Sequence, residues 1–281
     1  MLKIENLNFG YGFKKNMYEN LSLELKKGKI YGILGRNGSG KTTLLKMISS
    51  LLVGYDGNIM LDGEEAKKRS RNYLKKIFYL PEVIEKDDFK VKDLIILGRC
   101  YENWNETKFL EFIEREKINK KKKIKSFSKG WKKRIWFYYS VAVNPKVLIL
   151  DEVSEGIDII AQKEVIRDIL EYFNEEKIIL IASHHIEEFE NILDEFIVID
   201  NGNILYKGEK DYVDQNFGWA KEEESKNIEA EDIINERKIF DEKYILVQNI
   251  KKYSDINFKN IDIATFLESI IKMKGDNNYE K

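Results

Sequence analysis

The sequence of 281 residues is short of cysteine and of net charge, and each shortage excludes a class of protein. Its one cysteine, Cys100, cannot form an intramolecular disulfide, so the chain is not a disulfide-stabilised secreted scaffold. We expect a reducing cytoplasm, with Cys100 as a packing group. The 48 basic and 49 acidic side chains leave a formal net charge of -1, so no overall field draws the chain to nucleic acid or to an anionic membrane.

Long hydrophobic runs are also missing. The longest runs, such as residues 147–150 and 178–182, are far shorter than the ~20 apolar residues that a helix needs to cross a bilayer. Residues 1–12 lack the apolar stretch of a secretion signal. We therefore expect a chain without a membrane span of its own. Its 43% apolar residues suffice for a sizeable core in one large domain or two small ones.

What the sequence does contain is a set of short apolar runs, bounded by glycines, that alternate with longer stretches of helical spacing. This pattern is typical of an α/β layer fold with a mostly parallel sheet. The predicted strands are residues 30–34, 76–80, 147–150, 178–182 and 196–199, the predicted helices are 42–52 and 159–173, and hairpins are predicted at 57–63 and at Asn201-Gly202.

Two regions depart from this alternation. Between residues 89 and 126 the strand pattern disappears, and two amphipathic stretches, 91–101 and 107–118, predict a helical insertion. After about residue 211 the composition becomes strongly charged, and a strand at 244–248 and a helix at 263–274 are predicted. We predict a domain of residues 1–210, with the insertion at about 83–142, and a small carboxy-terminal extension of residues 211–281 that follows a charged linker at 221–224.

The glycine-rich sequence GRNGSGKTT, residues 35–43, lies between a predicted strand and a predicted helix. Its two glycines, the four residues between them, and the following lysine and hydroxyl residue have the spacing of a phosphate-binding loop. In such a loop the backbone N–H groups and the helix N-terminus bind the phosphates, Lys41 reaches the β- and γ-phosphates, and Thr42 binds Mg²⁺. The candidate nucleotide-binding residues are Gly35, Arg36, Asn37, Gly38, Ser39, Gly40, Lys41, Thr42 and Thr43.

The sequence VLILDE, residues 147–152, is an apolar strand that ends in two adjacent carboxylates. The carboxyl end of a parallel strand faces the ligand crevice of its sheet, where Asp151 would hold Mg²⁺ through water and Glu152 would polarise an attacking water. Taken alone this pattern is weak, because strands ending in acidic residues are common. The phosphate loop makes the functional interpretation the better one.

Together these motifs resemble the nucleotide-binding subunit of the ATP-binding cassette (ABC) family over nearly all of residues 1–210. The resemblance implies a P-loop NTPase core with an antiparallel β subdomain and a helical insertion, which binds ATP and Mg²⁺ and hydrolyses ATP. It also implies that Tyr11 stacks on adenine, with Phe9 and Phe13 as alternatives. The signature segment SFSKGWKKR, residues 126–134, supplies Ser128 and Gly130, which would contact the γ-phosphate of a nucleotide held by a second protomer.

The same resemblance assigns two further positions. Asp158 ends the contact loop EGID, residues 155–158, and is expected among the nucleotide-binding residues. His184, after the strand IILIAS, matches the histidine that faces the γ-phosphate. The expected catalytic residues are therefore Glu152 and His184, and the expected Mg²⁺ ligands are Thr42, Glu82 and Asp151.

Four residues depart from the family pattern. Glu82 stands where a glutamine is usual, and Lys129 and Trp131 replace a glycine and a glutamine of the signature. Glu155 replaces a small polar residue of the contact loop, so a homodimer would bring two extra carboxylates toward its own interface. This favours testing for a heterodimer.

The expected function is that of an ATP-binding and ATP-hydrolysing subunit that dimerises on ATP and drives a separate membrane permease, as an exporter subunit of the antibiotic-resistance and bacteriocin-immunity kind. Its partners would be that permease and a second ATPase subunit, either a copy or a paralogue, with no nucleic acid. It would lie in the cytoplasm, peripheral on the inner face of the cell membrane.

Two alternatives stay open. One is a soluble ABC ATPase that acts as a mechanical switch on ribosomes or DNA, although such members usually carry two cassettes or a long coiled coil. The other is a regulatory ATP-binding cassette with low turnover, against which the retained Glu152 and His184 argue.

Overall fold

The computed structural model describes residues 1–12, 16–84, 88–225, 227–239 and 241–275. The elements up to the end of the predicted cassette are β1 (Leu2–Phe9), β2 (Tyr18–Leu25), β3 (Lys29–Leu34), α1 (Lys41–Ile48), β4 (Asp56–Leu61), β5 (Glu64–Glu65), α2 (Arg71–Lys76), β6 (Ile77–Leu80), α3 (Val91–Gly98), α4 (Glu106–Arg115), α5 (Lys129–Val143), β7 (Val147–Asp151), α6 (Ile159–Tyr172), β8 (Ile178–Ala182), β9 (Glu195–Asp200) and β10 (Asn203–Glu209). They are followed by α7 (Lys210–Asn216), β11 (Phe217–Lys221), β12 (Ile233–Ile239), β13 (Glu242–Gln248) and α8 (Ile263–Gly275).

The central sheet has six strands in the order β10-β9-β3-β8-β7-β6, and every neighbouring pair except β9 and β10 is parallel. All five residues of β7 and all five of β8 are buried, because helices or the second sheet cover both faces. The α/β fold class predicted from the sequence is confirmed. The parallel register of β7 and β8, with Asp151 beside Ala182, brings their carboxyl ends to the same edge.

A second, antiparallel sheet has the order β2-β1-β4-β5, which confirms the β subdomain that the family resemblance implies. The sequence patterns did not predict β1 and β2. Their pairing shifts register twice, between Ile4 and Leu7 and again between Leu7 and Phe9. These irregularities break the alternation of buried and exposed side chains by which a strand is recognised.

The helical insertion consists of α3, α4 and the longer α5, which pack through aromatic side chains. The rings of Phe112 and Tyr138 stack with their centroids 3.8 Å apart, and Phe109 packs edge-on against Tyr139. The predicted helices at 91–101 and 107–118 are present as α3 and α4, each shorter at its carboxyl end. The expectation that Cys100 is a packing group is wrong, because its thiol is exposed after α3.

The carboxy-terminal residues form a three-stranded antiparallel sheet in the order β11-β13-β12, followed by α8. The strand at 244–248 and the helix at 263–274 are confirmed, while β11 and β12 were not predicted. The linker interpretation of residues 221–224 is wrong. Lys221 ends β11 and forms an ion pair with Glu242 at 2.5 Å. Glu222–Glu224 form a 3-10 turn, and Glu222 forms an ion pair with Lys243 at 2.6 Å.

The extension and the cassette share one apolar core. Phe266 of α8 is fully buried, and its ring packs edge-on against Phe196 of β9 at 5.6 Å and Tyr206 of β10 at 5.0 Å. The boundary at residue 210 stays a prediction, but it crosses a continuous layer of buried side chains. Among the helices of the described ranges, none combines the length and the apolar character that a bilayer crossing requires.

Candidate active site

The phosphate loop, residues 35–43, joins β3 to α1, and its conformation requires glycine at two points. Gly35 and Gly40 have φ values of 151° and 113°. A Cβ atom on Gly35 would lie 2.0 Å from the carbonyl oxygen of Ile199, and one on Gly40 would lie 2.3 Å from the hydroxyl oxygen of Tyr18. The predicted loop is therefore present. A side chain at Gly35 would collide with backbone, and one at Gly40 would collide with the Tyr18 side chain in a strained backbone conformation.

The polar groups of this loop suit an anionic ligand. The Lys41 Nζ donates to the carbonyl oxygens of Gly35 at 2.8 Å and Arg36 at 3.1 Å, so the ammonium sits inside the loop. Burial lowers the pKa of Lys41, and the nearby carboxylates of Glu152 and Asp151 oppose this shift. The buried Ser39 hydroxyl has no hydrogen-bond partner among the described residues. A buried donor without an acceptor, beside a buried cation, fits the oxygens of a phosphate chain.

The loop forms one wall of an open cavity of about 330 Å³. The lining residues are Met17, Asn37, Gly38, Gly40, Lys41, Thr42, Thr43, Glu82, Asp151, Glu152 and His184. The structure thus brings four separate segments of the chain together at the cavity. They are the phosphate loop, the segment of Glu82, the adjacent pair Asp151 and Glu152, and the segment of His184. Met17 was not predicted, because nothing in the residues around it signals a site.

Of the two aromatic candidates for adenine stacking that the described residues include, Tyr11 presents its ring beside the phosphate loop and Phe9 does not. Its side chain is 52% exposed, and its hydroxyl lies 3.2 Å from the Thr43 hydroxyl. Phe9 is buried and packs edge-on against Tyr11 at 4.8 Å. Phe13 lies outside the described residues. The stacking role of Tyr11 remains a prediction.

Thr42, Glu82 and Asp151 contribute a hydroxyl and two carboxylates to the lining of the cavity. These are the hard oxygen donors that Mg²⁺ prefers. Within the described ranges, no cluster of three or more His, Cys, Asp or Glu side chains could hold a metal without other ligands. Mg²⁺ in proteins usually binds through one or two carboxylates together with substrate phosphates and water, and Glu82 and Asp151 would supply such carboxylates here.

Asp151 has a partner that the sequence did not reveal. Its Oδ2 accepts a hydrogen bond from the Tyr79 hydroxyl at 2.8 Å. Burial and the Asp151 carboxylate raise the pKa of Tyr79 far above its ordinary value, so the phenol stays a donor. Tyr79 lies on β6, next to β7, and therefore orients the carboxylate from the neighbouring strand.

Glu152 is buried and holds a left-handed backbone conformation, with φ at 52°. Such a conformation costs on the order of 1–3 kcal/mol and is concentrated at functional sites. Its Oε2 accepts from the backbone N–H of His184 at 3.1 Å and from the Ser183 hydroxyl at 3.3 Å, while its Oε1 lies 3.4 Å from the His184 Nε2. The two expected catalytic residues are therefore adjacent.

The signature segment, residues 126–134, packs closely against the contact loop, residues 155–158. A Cβ on Gly130 would lie 2.2 Å from the carbonyl oxygen of Gly156. The Lys129 Nζ pairs with Glu155 at 2.6 Å, and this ion pair lowers the pKa of the Glu155 carboxyl. Two of the departures from the family pattern thus contact each other within one chain.

Ser128 and Asp158 are both helix caps. Ser128 accepts from the backbone N–H of Trp131 at 3.4 Å and starts α5, and Asp158 accepts from Ile160 and Ala161 at 3.1 and 3.0 Å and starts α6. Ser128, Gly130 and Asp158 are not part of the lining that the described residues give the cavity. Their expected contacts with a nucleotide stay a prediction. Half-buried Trp131 lies under the Arg134 guanidinium, 4.7 Å from its ring centre.

One buried charged residue next to the site was not predicted from the sequence. Lys133 is 1% exposed, and burial lowers its pKa to about 8. Its lysine-rich surroundings in the sequence predict a solvated helix, so its burial could not be foreseen from the residues alone.

Comparison with known proteins agrees with this geometry. The family described as ABC transporter matches residues 18–155. The chain is 33% identical to the ABC transporter ATP-binding protein YtrB of Bacillus subtilis over 66% of this chain and 64% of that protein. It is 32% identical to the lantibiotic transport ATP-binding protein SrtF of Streptococcus pyogenes over 75% of this chain and 92% of that protein. This chain thus spans just under two thirds of YtrB but nearly all of SrtF.

A solved structure described as the ATP binding subunit of an ABC transporter superposes with a TM-score of 0.69 and 23% identity, covering 76% of this chain and 91% of the other, which supports the fold. The resemblance inferred from the motifs is confirmed. The chain belongs to the family of ABC transporter ATP-binding proteins and is an ATPase.

Proposed function

We propose that this ATPase drives a separate membrane permease. The observation that carries the proposal is a set of exposed apolar side chains on the helical insertion, which begins directly after Glu82. Val83, which directly follows Glu82, is 61% exposed, and Ile96 and Leu97 project from α3 with exposures of 60% and 39%. Exposed apolar side chains that form a patch mark a docking surface for another protein, and we take these three side chains of the insertion as that surface. Because Glu82 lines the nucleotide cavity, such a partner would contact a segment that continues directly into the site.

The reaction follows from the groups around the cavity. Lys41 and the backbone N–H groups of the phosphate loop bind the phosphates and balance their charge. Magnesium bound with ATP, held by Thr42, Asp151 and Glu82, would neutralise charge that develops on the phosphate oxygens. Glu152 accepts the proton of the attacking water, and His184 and Ser183 keep its carboxylate in place.

Two such subunits would enclose ATP, with Ser128, Gly130 and Asp158 of one facing the nucleotide of the other. The second subunit is a copy of this chain or a paralogue. We further propose export. The proposal is supported by the similarity to SrtF, a lantibiotic transport ATP-binding protein, since the match covers 92% of the length of SrtF. In this role the chain lies at the inner face of the cell membrane.

Purification of the full chain from membranes in mild detergent tests the permease proposal. We expect an integral membrane protein to co-purify with the wild type and with Leu170→Glu, a control at an exposed position of α6. Ile96→Glu should lose this partner and still bind ATP, because a carboxylate would be placed among the exposed apolar side chains on α3, a helix that does not line the nucleotide cavity. Ribosomes or DNA in place of a membrane protein would instead support the mechanical switch and overturn the transport role.

A further inference from the structure

The side chain of Lys133, on α5, contacts the backbone of the segments that carry the active-site carboxylates, and does not contact the carboxylates themselves. Its Nζ lies 3.0 Å from the carbonyl oxygen of Pro81, 3.2 Å from that of Asp151 and 3.0 Å from that of Glu152. An ammonium group has three N–H bonds, and here each one has an acceptor. A charge with so little exposure is retained in a fold only when it is fully hydrogen-bonded.

The three acceptors belong to the two turns that carry the site's carboxylates. Pro81 directly follows β6 and precedes Glu82, while Asp151 ends β7 and Glu152 directly follows it. One side chain therefore joins the turn of Glu82 to the turn of Glu152. It does so from α5, whose N-cap Ser128 lies five positions earlier in the signature segment.

The contact with Glu152 bears on its unusual backbone. Glu152 is left-handed at φ 52°, and its peptide must be held in that orientation for the carboxylate to meet His184. Two peptide groups flank the α-carbon of Glu152, and Lys133 donates to the carbonyl oxygen of each. These oxygens belong to Asp151 and Glu152. His184 and Ser183 hold the carboxylate end, and Lys133 holds the main-chain end.

We propose that Lys133 is a positioning residue of the ATPase, which fixes the backbone of Glu152, and with it the carboxylate, through its three main-chain hydrogen bonds. It touches neither nucleotide nor water in the reaction and acts through Glu152. The inference rests on the proposed role of Glu152 as the group that accepts the proton of the attacking water.

The test replaces Lys133 by methionine, which keeps the length of the side chain and removes the donors, and by arginine, which keeps a cation with several donors. For Lys133→Met we expect kcat to fall by about 10²-fold, the order of loss that a displacement of about 1 Å produces, with KM for ATP changed less than about threefold. Lys133→Arg should recover a large part of kcat. The combination of Lys133→Met with Glu152→Gln should be no slower than Glu152→Gln alone, because both changes act on one group.

Lys177 offers a matched control. It is also buried, its Nζ lies 2.8 Å from the carbonyl oxygen of Pro145, and burial lowers its pKa to about 8 as well. It precedes β8 and so lies at the opposite end of the sheet from Glu152. Lys177→Met should therefore lower the thermal stability as Lys133→Met does while leaving kcat per folded molecule unchanged.

Three results would overturn the inference: wild-type kcat in folded Lys133→Met, equal losses of kcat in the Lys133 and Lys177 variants, or a loss confined to ATP affinity. If Lys133→Met does not fold, Lys133→Gln replaces it, and a wild-type kcat in that variant overturns the inference equally. The parallel Glu152→Gln measurement separates this failure from that of the proposed function, since a wild-type rate in Glu152→Gln would instead remove the role of Glu152.

Discussion

Replacing Phe266 by alanine tests whether the carboxy-terminal extension is an independent appendage or part of the cassette core. The Phe266 ring is fully buried and packs edge-on against Phe196, Tyr206 and Phe217, with centroid distances of 5.6, 5.0 and 5.0 Å. Two of these rings belong to β9 and β10 of the central sheet. Truncating Phe266 therefore opens a cavity between the extension and the cassette.

The expected loss follows from the size of the side chain and its contacts. A buried Phe→Ala change costs about 3–5 kcal/mol, and the three ring contacts place Phe266 toward the upper part of this range. With an m value of about 2–3 kcal/mol per molar urea, a loss in this upper part lowers the unfolding midpoint by about 1.3–2.5 M. The loss of about 3–5 kcal/mol is a large fraction of the free energy of unfolding of a folded domain, which is about 5–15 kcal/mol.

The measurement is urea unfolding followed by far-ultraviolet circular dichroism and, separately, by release of a fluorescent ATP analogue. We expect both signals to shift together in Phe266→Ala, because the ring joins the extension to strands that continue into the phosphate-loop sheet. Phe258→Ala is the control, since Phe258 packs in a small cluster inside the extension and away from β9 and β10. An early transition in circular dichroism, with nucleotide release at the wild-type midpoint, would refute the shared core and favour a separate unit at residues 211–281.

Three further predictions concern the site. Glu152→Gln should lower the rate of a single turnover by about 10² to 10⁴ and leave ATP affinity intact, and an unchanged rate would contradict its catalytic assignment. Lys41→Ala should weaken binding of the ATP analogue by about 10- to 100-fold, as expected for a charge-assisted contact of about 1.5–3 kcal/mol, whereas exposed Lys46→Ala on the same helix should bind normally. Alanine variants of Lys129 and Glu155, combined in a double-mutant cycle of thermal unfolding, should give a coupling of about 0.2–1 kcal/mol, and zero coupling would show that the pair does not form in solution.

The parts of the fold that the sequence predicted are those in which local pattern and burial agree. β7 and β8 are buried on both faces, so their residues are continuously apolar and easily recognised. β12 (IINERKI) is an edge strand with several polar residues, so its sequence resembles the charged stretch around it. The register shifts of β1 interrupt its alternation of buried and exposed side chains, so β1 could not be recognised either. Local composition indicates strands only where the environment imposes one kind of side chain.

The same distinction applies to the site. The phosphate loop and the acidic strand end are contiguous motifs, and their chemistry could be inferred from spacing. Tyr79 and Lys133 could not be found in this way, because they act on groups 72 and 18 to 52 residues away. Their partners are set by the order of strands in the sheet and by the direction of α5, which only the tertiary structure supplies.

Lys129 and Glu155 show how such a contact changes a conclusion about assembly. Considered separately, Glu155 adds a carboxylate at the expected protomer contact, and two copies would repel each other across a homodimer. In the structure each Glu155 is already paired with Lys129 of its own chain at 2.6 Å, so the two departures add no net charge to that surface. Both side chains stay partly exposed, at 55% and 41%, and water screens what field remains. The charge argument for a heterodimer therefore loses its basis, and a second copy of this chain is as acceptable a partner as a paralogue.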